Sequence, residues 1–559
     1  MTNGMARLAC LLTLVLCLSA GASLAAPLTW DSNGATAPLG LDGAGTWDTA
    51  TANWSDGANN LTWVNANADT AVFGNGGTAG TVTLGTGITV GGLTFNAGTT
   101  GNYLIQSGTL TLSGTPTIAV HQDATINSLI AGTAFTKTGS GILNLNPQGS
   151  NSYSGTITVA QGTLLMNGTG GDGTIRGNVI VQNGATFQIG TANRMVNSGM
   201  VTVETGGTFN AGGLSEAFAY IAGSGAITNM GTFELDLGSA GPQTFSGTIN
   251  GGTLRARGNN GGGTQILTGT NTVSTVQVYR GTAGTTTLEL AGTGTTTVSG
   301  TTGLGYAGSG SAVLNIKDSH VLTTGNLYSG EQNGHGGTIN QSGGTVNVTG
   351  TAAGVGNGQG TFRLGHWPNE TSTYNMTGGA LNVTADISVG WDGTGVFNLS
   401  NGQVTANRLV VNNSNSMNTT GSGTFNLTGG TLTLGTGGIA TAGGTAAINL
   451  GGGTMRASGS WSSALAGTLT GTNGNVTFDT NGNTITWSGA LGGAGGLRKI
   501  SSGTLTLSGT NSYGGQTVAE YGTLSISNAS ALGSTAGNTV IVGSNRSEER
   551  RVGKECTIQ

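Results

Sequence analysis

The residue types that carry most protein chemistry are rare in this chain and are scattered along it. Only 7% of its 559 residues are charged, with 4 His and 3 Cys. His121, His320, His335 and His366 share no spacing that would aim two imidazoles at one metal ion. His335, in Asn-Gly-His-Gly-Gly, reads as a turn residue, and all four are expected at solvated corners. Cleaving a polysaccharide needs clustered carboxylates, or a Lys or Arg base on one face. Asp386 with Asp392, and Arg255 with Arg257, come nearest to this, and in sequence they are sparse and unpaired. The Gly-Gly-x-Gly strings lack the recurring Asp of calcium-binding repeats. The run at Gly393–Gly395 has no strand-to-helix context that would make it a phosphate loop. No catalytic, cofactor-binding or metal-binding residue is assigned, and no cofactor is expected.

Two of the three cysteines, Cys10 and Cys17, fall in an N-terminal stretch with the grammar of an export signal. Arg7 supplies a positive start, Leu8 to Leu18 an apolar stretch, and Ser23-Leu24-Ala25 a small-x-small cleavage site before Ala26. Cys556 lies in residues 545–559, where Arg546 to Cys556 carry seven of the chain's 39 charged residues. That segment resembles the in-frame translation of a sequencing adapter, which predicts that the natural chain continues beyond Ser544. The mature chain is then expected to hold no disulfide and no thiolate. The formal net charge is −5 with no basic patch, so no nucleic acid partner is expected.

The elements that would position any site are short strands. Gly contributes 109 residues without a three-residue period, which excludes collagen. Segments of Thr, Val, Leu and Ile alternate with Gly- and Asn-rich corners, a pattern that suits a pleated, half-buried surface. Aromatics are 5%, too few for a large globular core and sufficient for a stack of thin coils. Coils of roughly 20–28 residues, rising about 4.8 Å each, predict a rod on the order of 100 Å long. Trp30, Trp47, Trp54 and Trp63 concentrate half of the eight tryptophans in one short stretch. They read either as a sugar-stacking platform or as a cap over the first coil, and the cap is preferred because they are spread among turns.

The expected organisation is an export signal (1–25), a Trp-rich cap with the first coils (26–98), and a solenoid (99–311). A second repeat type follows (312–457), then a C-terminal solenoid (458–544) and the charged tail. In 312–457 an Asn recurs at Asn315, Asn340, Asn375, Asn398, Asn426 and Asn449, flanked by apolar residues that should face inward. Stacked amides of this kind can bond along the axis without any ligand.

The clearest unit is 489–526. Its motif residues are Gly495, Gly496, Leu497 and Lys499, then Gly503, Thr504, Leu505, Leu507 and Gly509, then Asn511, Tyr513 and Gly515, and finally Gly522, Thr523 and Leu524. A looser copy spans Lys137–Asn167, with Lys137, Asn151-Ser152-Tyr153 and Gly162-Thr163-Leu164 in the matching places. Val518 lies three residues after Gly515 whereas Val159 lies four after Gly155, which predicts a one-residue slip or bulge.

This pattern resembles the autotransporter-associated β-strand repeat, also called the passenger-associated transport repeat. The block 312–457 resembles repeats of type V secretion passengers and of exported PEP-CTERM proteins. The resemblance implies an all-β, right-handed parallel β-helix with an N-terminal cap, exported and secreted or displayed at the outer membrane. It also implies partners: surface glycans, proteins or matrix, together with outer-membrane translocation machinery or the chain's own β-barrel. The expected function is a structural or adhesive passenger without catalysis. The alternatives are a β-helical carbohydrate-active enzyme or lyase, and a mechanical stalk for a further C-terminal domain. The unit 489–526 is expected to be the last native coil, with an unpaired edge beyond it.

Overall fold

A computed structural model describes residues 25–34, 39–238, 241–282, 284–332, 334–353, 361–413, 421–542 and 556–557. The export signal, apart from residue 25, and most of the charged tail therefore lie outside the described residues. The described chain is all-β apart from two single-turn 3-10 segments, and it winds into a parallel β-solenoid of about 20 turns. Alternation drives it. In Thr285–Leu290, Ser311–Ile316, Thr394–Leu399 and Ser422–Leu427 every second side chain is buried, while the residues between face outward. The buried rows merge into one apolar core along the whole stack.

Each coil has three faces. The first face stacks Thr371–Met376, Thr394–Leu399, Ser422–Leu427 and Thr445–Leu450 in parallel register. The second stacks strands such as Ile142–Leu145, Thr163–Met166 and Thr186–Ile189. The third often continues from the second within one long strand. Ala226–Gly238 and Thr248–Asn260 pair with a register shift between Ile227 and Met230, and that bulge turns the corner. Toward the C-terminal end the third face separates as Trp461–Ser463, Thr484–Trp487, Thr504–Leu507 and Thr523–Ile526.

The N-terminal end is closed by tryptophan. Trp30, Trp47, Trp54 and Trp63 are fully or almost fully buried. Their rings pack tilted or edge to face, at 4.7–5.3 Å, and those of Trp30, Trp47 and Trp54 contact Phe73. Antiparallel pairing of Pro27–Trp30 with Trp54–Ser55 breaks the parallel pattern here. No indole face is free to stack on a sugar, and the four rings form a cap.

At the other end the unit 489–526 is not the last coil. Thr539–Ile541 pairs in parallel with Thr517–Ala519, and Cys556–Thr557 lies antiparallel along Thr523–Leu524. The edges expected to be bare thus carry neighbours.

Candidate functional site

Two arrangements stand out above the plain Thr, Asn and Gly surface. The first is the pair of repeat units. Lys137 and Lys499 are completely buried. The Lys137 ammonium donates to the carbonyls of Gly139 (2.6 Å), Gly141 (2.7 Å), Gln161 (2.9 Å) and Thr138 (3.2 Å). That of Lys499 donates to Ser501 (2.7 Å), Ile500 (2.8 Å) and Tyr521 (2.9 Å). Each lysine therefore ties its own corner to the next coil. Burial pulls both amines down to about 8.

Glycine makes room for this. Gly162 and Gly522 have φ of +63° and +78°, and a Cβ there would lie within 3.0 Å of two clamp-corner carbonyls and the lysine Nζ. Asn151 and Asn511 act as staples. Oδ1 of each accepts the backbone N–H of Ile130 or Leu491 in one neighbouring coil (2.8 Å in both), and Nδ2 donates to Thr174 or Ala531 in the other. Tyr153 and Tyr513 are buried beside them.

The two copies are offset by one face. Lys137 sits on the first face and Ile142–Leu145 on the second, whereas Lys499 sits on the second and Thr504–Leu507 on the third. The expected slip between them is absent. Lys137 pairs with Val159 and Lys499 with Ala519, so buried Ala519 takes the place of Val159 and Val518 points outward. Thr517 replaces Ile157, and the Tyr513 hydroxyl bonds to it at 2.7 Å.

The second arrangement is a ridge on the third face. Glu234, Arg255, Gln277, Gly303, Tyr328, Arg363 and Ser388 occupy one row across seven coils. Asp236 and Arg257 pair across the next row, and Tyr279 pairs with Tyr306. Arg255 is bonded to Glu234 (3.0 Å) and Gln277 (2.9 Å), and Arg257 pairs with Glu234 and with Asp236 (3.4 Å). The Tyr279 and Tyr306 rings stack at 4.7 Å, with the Arg255 guanidinium 5.0 Å over Tyr279. Gly303 is bare of side chain, and the Tyr306 hydroxyl lies in that space. Arg363 contacts two rings, Tyr328 at 4.7 Å and Trp391 at 4.0 Å, and it donates to Nε2 of His366 at 2.7 Å.

Electrostatics at the ridge follow from burial. Desolvation raises Glu331 to about 7 against the pull of Arg363. It lowers His366 to about 3, with Arg363 acting the same way. Their facing atoms, Oε1 and Nδ1, are 3.8 Å apart and have no hydrogen-bond partner. Glu370, buried in the following corner, is raised to about 8 by desolvation.

The sequence-stated candidates fall into place differently. Arg255 and Arg257 are paired through Glu234, and Asp386 is fully buried 3.5 Å from Arg408. Two histidines are not solvated corner residues: His320 is completely buried between the Thr296 hydroxyl and the Ala291 carbonyl, and His366 is packed into the ridge. His121 is exposed, and His335 is half-buried at 3.0 Å from Arg280. No cluster of three potential metal ligands occurs among the described residues.

Comparison with known proteins bears on the repeats. The passenger-associated transport repeat family matches at residues 135–166 and 497–526. A 164-residue stretch is 41% identical to the adhesin BmaC autotransporter of Brucella suis biovar 1 (strain 1330). It covers 28% of this chain, which spans only 4% of that much longer protein. The crystal structure of the Haemophilus influenzae Hap adhesin aligns with 90% of this chain and 66% of its own, at 14% identity and a TM-score of 0.35. The chain is a three-faced parallel β-solenoid with two stretches that match the passenger-associated transport repeat.

Proposed function

We propose that this chain is a surface-displayed or secreted passenger of autotransporter type, acting in adhesion, aggregation or matrix building without catalysis. The observation that supports it best is the pair of buried lysine clamps, which fall within the two stretches matching the transport repeat. The 41% identity to an adhesin segment supports the adhesive part. Its partners are then targets on other surfaces, and its route outward uses an outer-membrane pore of its own or of the cell. Expression of the complete gene in a Gram-negative host tests this by surface proteolysis and by adhesion of whole cells. A chain inaccessible to external protease, or adhesion no greater than that of cells with empty vector, would overturn it.

One observation favours a carbohydrate-active enzyme instead: Glu331 is held near neutrality beside His366 and Arg363, as a general acid would be. Release of reducing ends from a polysaccharide by the purified chain decides for that rival.

A further inference from the structure

We propose that the third-face ridge from Glu234 to Trp391 is the binding site for an uncharged glycan chain lying along the solenoid axis. It rests on the adhesive reading and says where on the chain adhesion occurs and by what chemistry.

Composition sets the ridge apart. The outward positions of a neighbouring face can be entirely Ser, Thr and Asn, as in Ser422–Leu427. On the ridge, seven successive coils bring together three tyrosines, three arginines and acidic partners for them. Six intervals of about 4.8 Å make it on the order of 29 Å long. That length suits several units of a polymer better than a single small molecule.

The chemistry suits a ligand with hydroxyls on its rim and apolar faces. Aromatic rings with one polar edge combine apolar contact and hydrogen bonding in one side chain. Tyr279, Tyr306 and Tyr328 are half-buried and so still present surface to solvent. Guanidinium and carboxylate groups fixed beside them can donate to and accept from hydroxyls.

Charge balance selects the class further. Arg255 and Arg257 face Glu234 and Asp236, and Arg363 lies in the field of Glu331 and Asp392. Arg255 and Arg257 are already paired with carboxylates, so that part of the ridge has no surplus to hold a polyanion.

Preorganisation lowers the cost of binding. Arg363 is fixed by two rings and by His366, and Arg255 by Glu234, Gln277 and Tyr279. Side chains already held lose little rotamer freedom on contact with ligand. A cleft of about 300 Å³ opens at the Glu234 end, lined by Asn193, Ser215, Thr232 and Arg255, and would receive one end of the chain.

The test is affinity gel electrophoresis of the full chain through neutral glucan, mannan and galactan, with heparin as the polyanionic control. We expect retardation by at least one neutral polymer, a Kd at least tenfold weaker in Tyr279→Ala/Tyr306→Ala, and little change in Tyr521→Ala, an exposed tyrosine away from the ridge. Arg363→Lys is expected to weaken binding while circular dichroism stays that of the parent, which separates contact from folding. Absence of retardation, equal retardation of the ridge variants, or stronger binding to heparin would overturn the proposal. Release of reducing ends that Glu331→Gln abolishes would overturn it in favour of catalysis. Whole-cell adhesion separates the two readings. Adhesion that persists in the ridge variants overturns the ridge alone, and wild-type cells that fail to adhere overturn the passenger reading.

Discussion

Lys499 shows how one side chain can hold a corner. Its ammonium donates to three carbonyls, of which those of Ile500 and Ser501 are also reached by the Thr480 hydroxyl, while that of Tyr521 lies in the next coil. Lys499→Met keeps the bulk and removes the donors, which leaves acceptors unmet at about 1–3 kcal/mol each where burial is complete. Denaturant titration of that variant is expected to show an early transition in the C-terminal coils. Gly522→Ala should act similarly, because a methyl at φ +78° would meet the carbonyls of Ser501 and Gly503. The buried carboxyls give a pH signature. Glu216 and Glu331 are raised to about 7 and Glu370 to about 8, so between pH 4.5 and 8 the folded chain holds protons that the unfolded chain has released. Stability therefore falls as pH rises from 6.5 to 8, above the range in which the lowered His366 and His320 act oppositely. The lysines act oppositely: from pH 8 to 10.5 the unfolded chain binds more protons, and stability rises. Thermal midpoints across pH 5–10 should pass through a minimum near 8. Glu370→Gln, which has no proton to lose, should make the acid-side slope shallower.

At the scale of the element, the asparagine row is the clearest case of sequence dictating structure. Asn340, Asn375, Asn398, Asn426 and Asn449 each donate Nδ2 to Oδ1 of the Asn one coil before, at 2.7–3.1 Å, and Asn315 ends the ladder on Glu289. The inward flanking residues are buried as their alternation requires. Asn398→Ala removes two rungs and should cost about 1–2 kcal/mol in urea titration, since these amides are only part-buried. This row was legible because both partners are the same residue at the same point of the alternation. The ridge was not. Its residues are separated by 21, 22, 26, 25, 35 and 25 positions, and bulges between Val273 and Val276 and after Val278 reset the register coil by coil. Residue types there differ from coil to coil, so no repeated letter marks the row. The lysine clamp was half legible: its motif was visible, but nothing in the letters says that a lysine turns inward. His320 escaped for the same reason, its hydrogen-bond partners lying 24 and 29 residues away.

For the whole molecule, the core is a line and not a centre. Coils in such a stack contact chiefly their neighbours, so stability is a sum of coil and interface contributions and unfolding need not be a single event. Four tryptophans sit in the cap, and Trp461 and Trp487 pack against each other far along the chain. Hydrogen exchange followed against denaturant in the unaltered chain should give two distinct midpoints, one for the coils around each group. Trp54→Ala, which opens the cap between Trp30, Trp47 and Trp63, should lower the N-terminal midpoint, with a loss of about 3–5 kcal/mol.

The staples point in both directions along the stack. Asn511 holds Leu491 in one coil and Ala531 in the other, and Lys499 completes its shell only with Tyr521. A coil emerging alone would thus be like a latch without its catch, closing only when the adjoining turn has been laid beside it. Asn151 makes the same two-way hold between Ile130 and Thr174, so in both units a turn, once laid, is fixed by the turn that follows it.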